Sequence, residues 1–348
     1  MLGTIVLALA SNPALAADPS GTELHFVWSL NRARHDPAGW AAEQGLHERI
    51  GGDGAPTTLE DVGSRPPLAL NTALVGSASD HALELSTSDV FQHQSAVDGR
   101  WPNQMVRDAG YPLPLELPTD DGYYWELPDE ANHVESITGG YTDAVTAINE
   151  LIVDEGVVGA GHRVHILASN PFYATHREIG AGFAHSEEAQ YEDYWAIHTA
   201  IADVEDRFLT GVVFDDLDAN CLFDPGEGLA GITVTVDGKH FATNDAGGWS
   251  ALVLPGVHQV VCTGPGFSGR ASAEVAVDMD NREVDCVSGL PDAFLDFAPV
   301  PLGVVGGGPM VVENGIGEAI VCGSVPGTGA PWAAIVIAGI MVLRRRKI

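Results

Sequence analysis

Positive charge is what this sequence has least of. Sixteen Lys+Arg stand against 48 Asp+Glu over 348 residues, a formal charge of −32. Arg344, Arg345, Arg346 and Lys347 take four of the sixteen, and Lys239 is the only other lysine. A protein that holds phosphate backbones or anionic head groups neutralises them with Lys and Arg. Nucleic-acid binding is therefore excluded, and membrane contact is confined to the C-terminal segment. There the apolar run 332–343 (WAAIVIAGIMVL) is shorter than the ~17–25 residues of a spanning helix. What the chain does have is length, and a 45% hydrophobic composition, enough for two ordinary domains with cores of their own.

The two ends read as address labels. Residues 2–10 (LGTIVLALA) precede an Ala14-Leu15-Ala16 site and the polar Ala17-Asp18-Pro19, which predicts a secretory signal peptide over residues 1–16, cut after Ala16. At the other end a Gly/Pro-rich stretch with Cys322 leads into the short apolar segment and its basic cap. This tail, residues 331–348, resembles the MYXO-CTERM type of bacterial sorting tag; an ordinary single-span anchor is the alternative. Both place the body outside the cytoplasmic membrane, with the basic end inside. In an oxidising compartment the cysteines can pair. A Cys262–Cys286 bridge between neighbouring strands would leave Cys221 over, and pairing of Cys221 with either of them is the alternative.

Composition shifts near residues 204–209. Residues 22–203 carry the helical patterns and most of the histidines, residues 205–289 read as short β-runs punctuated by Gly and Asp, and residues 290–330 read as a Gly/Pro-rich linker. Leu70, Leu74, Ala78, His81 and Leu85 predict an amphipathic helix over 68–88, with His81 as a satisfied core histidine. A second helix, from about residue 142 to 155, puts Val145, Ile148, Leu151 and Ile152 on one face. Continuing that face reaches Glu155 rather than Asp154, and a carboxylate at the inward end of an apolar stripe needs a partner.

Phe91-Gln92-His93, Asp98-Gly99-Arg100, Ala109-Gly110-Tyr111, Glu135, Gly161-His162-Arg163 with Ile166-Leu167, Glu178-Ile179-Gly180-Ala181-Gly182 and Tyr194-Trp195 follow Asn31 and Arg34 in order. The series resembles the CAP superfamily of cysteine-rich secretory, antigen 5 and pathogenesis-related-one proteins, in its bacterial branch. The resemblance implies an α/β fold, an α/β/α sandwich with a cleft that gathers two histidines and two acidic residues. Carried over, these are His93, Glu135 and His162, with Glu155 as the second acid and Asp154 close behind. The approach to His162 departs from the common bacterial pattern, and Ser136 stands where Asn usually follows the first glutamate. Such a cleft can bind a ligand, hold zinc or another divalent cation, or do acid–base work. No Ser or Cys nucleophile is paired with either histidine, which disfavours covalent catalysis. His133, His165, His176, His185 and His198 have no motif support and read as solvated or structural.

The second unit, through Leu209-Thr210-Gly211-Val212-Val213-Phe214, Gly231-Ile232-Thr233-Val234-Thr235-Val236 and Asn244-Asp245-Ala246-Gly247-Gly248-Trp249, resembles a Cna-B or SdrD-B-like all-β sandwich module. Between its first strands, Asp216, Asp218, Asn220, the Leu222 carbonyl, Asp224 and Glu227 fall at the spacing of an EF-hand-type loop, with Cys221 where the turn glycine usually stands. Hard oxygens at these offsets predict calcium. The expected protein is secreted and surface-tethered, and binds an extracellular or envelope ligand of lipid, glycan or protein type. A metal-assisted hydrolase and a structural adhesion protein are the rivals.

Overall fold

Ser20 starts the first helix through a capping box, its hydroxyl accepting from Glu23 N while Glu23 Oε2 accepts from Ser20 N at 2.7 Å. In the computed structural model the described residues are 17–47, 49–50, 59, 62–119 and 121–296, with the backbone of 310–313 and 319–322. The leader, the greater part of the linker and the C-terminal segment lie outside the described residues.

Helices α1 (Gly21–His35) and α2 (Pro37–Gln44) come first, followed by β1 (Ala69–Leu70), α3 (Thr72–Ser88) and α4 (Pro102–Asp108). A hairpin, β2 (Glu116–Pro118) and β3 (Tyr124–Glu126), precedes β4 (Glu135–Gly139), α5 (Ala144–Val153), α6 (Gly161–Ile166), β5 (Glu178–His185) and β6 (Asp193–Ala200). The sheet runs β1-β5-β6-β4, antiparallel except for the β1–β5 pair. Alternation along β6 splits its faces. Trp195 and Ile197 join Phe26 of α1 and Ile148 of α5 in one core, while Tyr194 and Ala196 pack with Ala78, Ala82 and Leu85 of α3 in another. The chain is α/β, with helices on both sides of the sheet.

The Gly180-Ala181-Gly182 stretch has a steric cause. A Cβ on Gly180 would lie 2.1 Å from Val75 N, and one on Gly182 2.3 Å from the Ala78 carbonyl carbon. α3 therefore rests directly on the β5 backbone, and its residues are held at fixed height over the sheet. The helix begins at Thr72 rather than 68, because Asn71 caps it by accepting from Ala73 N and Leu74 N. Tyr111 and Asn71 both donate to Glu178, at 2.8 and 2.7 Å, and lock α3 to the start of β5.

Strands β7 (Arg207–Phe214), β8 (Thr233–Val236), β9 (Lys239–Ala242), β10 (Gly248–Val253), β11 (Gly256–Thr263), β12 (Ala271–Val277), β13 (Arg282–Val287) and β14 (Phe294–Leu295) build the second unit. They form two sheets, β10-β7-β13-β14 and β12-β11-β8-β9. Cys262 of β11 and Cys286 of β13 bridge them. Cys221 is disulfide-bonded too, so it is not the leftover thiol expected from that pairing. The unit extends past residue 289, since β14 pairs with β13. The stretch expected to be plain linker holds a hairpin, β15 (Met310–Glu313) with β16 (Ala319–Cys322); backbone pairing asks only for extended, apolar residues, which its valines and isoleucine supply.

The two units share a core. Val212, Phe214, Phe223, Ala246 and Val287 belong to the same buried cluster as Leu24, Trp28 and Leu30 of α1. Polar bonds cross the seam as well: Ser250 donates to the Leu70 carbonyl at 2.9 Å, and Asn281 to those of Pro67 and Arg177 at 3.0 and 2.7 Å. No helix among the described residues is long and apolar enough to cross a membrane.

Candidate functional site

Glu135 opens β4, opposite His198 of β6. Its backbone is fixed by Asn132, which accepts from Glu135 N at 2.9 Å and donates to Glu135 O at 3.1 Å. Three imidazoles converge on its carboxylate: His81 of α3 on Oε2, His198 on Oε2 at 2.8 Å, and His93 on Oε1 at 2.8 Å. Burial alone would raise the carboxyl's pKa. The charge on His81 and the hydrogen bonds from His198, His81 and His93 outweigh it and hold the group well below the usual range. His81 is the mirror case. Burial opposes its charge, yet the Glu135 carboxylate raises its pKa. Glu135 is thus an ionised anchor.

The second acid is Asp154. α5 ends at Val153, and Asp154 turns left-handed at φ 53°, ψ 44° as its C-cap. That turn breaks the helical face expected to continue to Glu155. It leaves Glu155 in solvent and swings the Asp154 carboxylate onto His162, with Oδ1 at 2.7 Å from Nδ1 and Oδ2 accepting His162 N at 2.9 Å. Asp154 is 4% exposed. Arg163, fully buried, donates to the Ile152 and Val153 carbonyls at 2.5 and 2.7 Å and so ties the His162 turn to the end of α5. Arg34 holds the same region from below, donating to the Ile166 carbonyl at 2.8 Å.

His93 and His162 face each other with ring centroids 6.3 Å apart. Their side chains are 34% and 25% exposed, and each Nδ1 is taken by a buried carboxylate. With Nδ1 carrying the hydrogen for the carboxylate, Nε2 keeps its lone pair and is the free edge of each ring. Among the described residues, the cleft offers two oriented imidazole nitrogens and no hydroxyl or thiol nucleophile bonded to either.

His81 and His198 belong to this site and were expected as core or structural residues. Helical spacing already put His81 on the stripe facing the sheet, and alternation from Tyr194 and Ala196 puts His198 on the same side, so their meeting was readable from the two patterns together. The ligand atoms of His81, Glu135 and His198 lie within 4.8 Å of one another. His165 and His176 are structural. His165 bonds Ser136 and Thr199, both at 2.7 Å, and burial keeps it neutral, its pKa well below the ordinary value. Ser136 thereby finds a partner within the protein. His133 bonds Asn103, and His185 pairs with Asp193 at the surface.

In the second unit Asp216, Asp218 and Glu227 also place ligand atoms within 4.8 Å of one another. Asn220 donates to Asp218 at 3.0 Å and to Asp224 at 2.9 Å. Cys221, at the turn position, adopts φ 61°, so the left-handed turn usually given to glycine is made by a residue with a side chain. Phe223, fully buried, meets the rings of Phe214, Trp28 and His25 edge-on and ties the loop to α1.

The sequence matches no family model, and no curated protein matches it. Among solved structures the chain is similar to an outer surface protein of Borrelia burgdorferi, at TM-score 0.27 and 14% identity over 38% of this chain and 76% of that one. It is also similar to an extracellular protein containing an SCP domain from Bacillus anthracis, at TM-score 0.27 and 16% identity over 39% of this chain. The match spans 35% of that protein's length. Superpositions this loose leave the functional reading to the geometry of the cleft.

Proposed function

We propose that the protein is secreted and tethered at the cell surface, and that its first domain binds an extracellular or envelope ligand through His93 and His162. The observation that carries this is the pair of partly exposed imidazoles, 6.3 Å apart, each with Nδ1 held by a buried carboxylate, which leaves Nε2 as the ring nitrogen for a ligand. Such rings are preorganised acceptors for a ligand's acidic N–H or O–H. They lack the nucleophile that turnover by acyl transfer would need. The test is co-sedimentation with purified envelope polysaccharide, and with uncharged phosphatidylcholine vesicles, for wild type and His93→Gln/His162→Gln. The expected result is retention of wild type on one of them and at least tenfold weaker retention of the variant at unchanged melting temperature. Equal retention overturns the reading. Zinc bound at one per chain and lost in the same variant replaces it with a metal-assisted site.

The second domain, in this reading, is a calcium-stabilised platform. The oxygen set of Asp216, Asp218, Asn220, Leu222, Asp224 and Glu227 suits a cation that takes six to eight hard ligands, and Phe223 would pass its order to α1. Millimolar calcium should raise the melting temperature by several degrees, about what a ligand at 100 Kd gives. Asp216→Ala with Glu227→Ala should abolish the rise. No calcium-dependent shift in wild type, by calorimetry in chelator-treated samples, sinks the assignment.

A further inference from the structure

α3 borders a groove of about 380 Å³, closed by the 95–100 turn and α4, whose lining includes His81 but not His93 or His162. Four carboxylates line it, Asp80, Glu84, Asp98 and Asp108, against one guanidinium, Arg100. Arg100 is already engaged with Asp98 at 2.7 Å and Asp108 at 3.4 Å. Glu84 accepts from Ser95 Oγ at 2.8 Å and Ala96 N at 2.7 Å. The Asp80 carboxylate makes no hydrogen bond or ion pair among the described residues, so the groove keeps a surplus of negative charge at its rim.

Its floor is the second observation. Ser77 and His81 stand one turn apart on α3, 4% and 2% exposed, and both line the groove. Ser77 Oγ and His81 Nε2 are buried without any hydrogen-bond partner. A helical serine commonly returns its hydroxyl to a backbone carbonyl in the preceding turn, and a buried polar atom left unpaired costs about 1–3 kcal/mol. His81 Nδ1 is committed to Glu135, which leaves Nε2 as the ring nitrogen without a partner. Two unpaired polar atoms, on two residues one helical turn apart that both line the groove beneath a carboxylate rim, are what a ligand's oxygen would satisfy.

We propose that this groove is a second binding site, distinct from the cleft, for a small organic cation that carries an oxygen beside its charge. An ammonium or guanidinium would sit between Asp80 and Glu84, and the oxygen would reach Ser77 and His81. The volume suits a molecule of amino-acid size. Neither His93 nor His162 is among the residues that line the groove.

The test titrates L-arginine, L-lysine and ethanolamine into the full chain by calorimetry, with L-glutamate as the anionic control, and follows the imidazole ¹⁵N resonances. At least one cation should bind saturably and shift His81, while L-glutamate does not bind. Asp80→Asn, a change at an exposed residue, should weaken binding at least tenfold. Ser77→Ala should weaken it several-fold while raising the melting temperature of the free protein, because an unpaired buried hydroxyl is gone; a merely structural Ser77 would leave binding unmoved. His162→Ala should bind as wild type, which separates this site from the cleft. An acetylated, amidated Gly-Arg-Gly peptide that binds as well as free arginine marks the source as a polypeptide side chain, and one that fails marks it as a free small molecule. No saturable binding of any of the three cations, or binding undiminished in both groove variants, overturns the proposal.

Discussion

Glu283→Gln makes the protein more stable at pH 8, and the gain shrinks steadily as the pH is lowered from 8 toward the ordinary carboxyl value of about 4.5. Glu283 and Asp285 both point from β13 into the seam against α1, and they are 2% and 3% exposed. Neutral donors serve them. Asn31 reaches Glu283 at 2.9 Å, while Trp28 and Val212 N reach Asp285 at 2.9 and 2.8 Å. Burial is the main cause that pushes both carboxyls up, Asp285 to about 7; the charges of Asp285 and Asp296 add to it at Glu283, and that of Asp296 adds to it at Asp285. One unit of such a shift is about 1.4 kcal/mol. A carboxyl whose folded pKa is raised costs nothing below its unfolded pKa. Its cost grows as pH rises toward the folded pKa and is complete above it. The wild-type profile will hide this, because His165 and His176 act oppositely. Burial keeps both neutral, His176 at about 3, so the unfolded chain takes up their protons below about 6.5 and stability falls toward acid. The difference between variant and wild type, from urea melts at pH 5, 6, 7 and 8, isolates the seam. A gain independent of pH, or a loss at pH 8, refutes the argument.

That seam is also where sequence reading stopped. The Gly180 and Gly182 pattern, Asn31, Arg34 and the two imidazole positions could be found because each sits in a short motif with a local cause: a close approach, a carbonyl to bind, a turn. Trp28 and Asp285 are 257 residues apart in the chain and meet only through packing. Neither β13 nor α1 alone says that its polar residues face a partner, and an Asp between valine and cysteine reads as an exposed strand position. Glu155 was misplaced for a different reason. Helical periodicity extrapolates only while the helix lasts, and a single left-handed residue, Asp154, redirects the next side chain. His198 was missed because β-alternation alone names a face; only set beside the α3 stripe that carries His81 does it say what waits there. The sandwich of short β-runs was legible in its alternation; its fusion to the first domain, through a shared apolar core, was not, since hydrophobic strand residues look alike whether they face a sister sheet or a helix.

Glu135→Ala should cost about 3–5 kcal/mol, the range for removing one partner of a buried ion pair, and it should cost far more than His93→Ala. Glu135 is fully buried and receives three imidazoles, whereas the His93 side chain is 34% exposed. Deleting the carboxylate leaves His81 and His198 facing each other, with their other ring nitrogens already unpaired and buried. Glu135→Gln should recover part of the loss, because it keeps the volume and one acceptor oxygen but turns an NH2 toward a ring N–H. The pH dependence of the difference is diagnostic. Glu135, with its folded pKa depressed, stabilises above about 4.5 and loses this as pH falls. His81, with its folded pKa raised, stabilises below about 6.5 and loses this as pH rises through the raised value. The gap between wild type and Glu135→Ala is therefore widest near pH 5–6.5 and narrows on both sides, the opposite of a gap that simply grows with pH at the Glu283 seam. A flat gap of less than 1 kcal/mol would mean that the carboxylate is not the electrostatic centre of the domain. A large one has a practical consequence for the cleft: loss of binding after removing Glu135 cannot separate a lost contact from a lost fold, whereas the partly exposed His93 and His162 can be changed with the Glu135 anchor left in place.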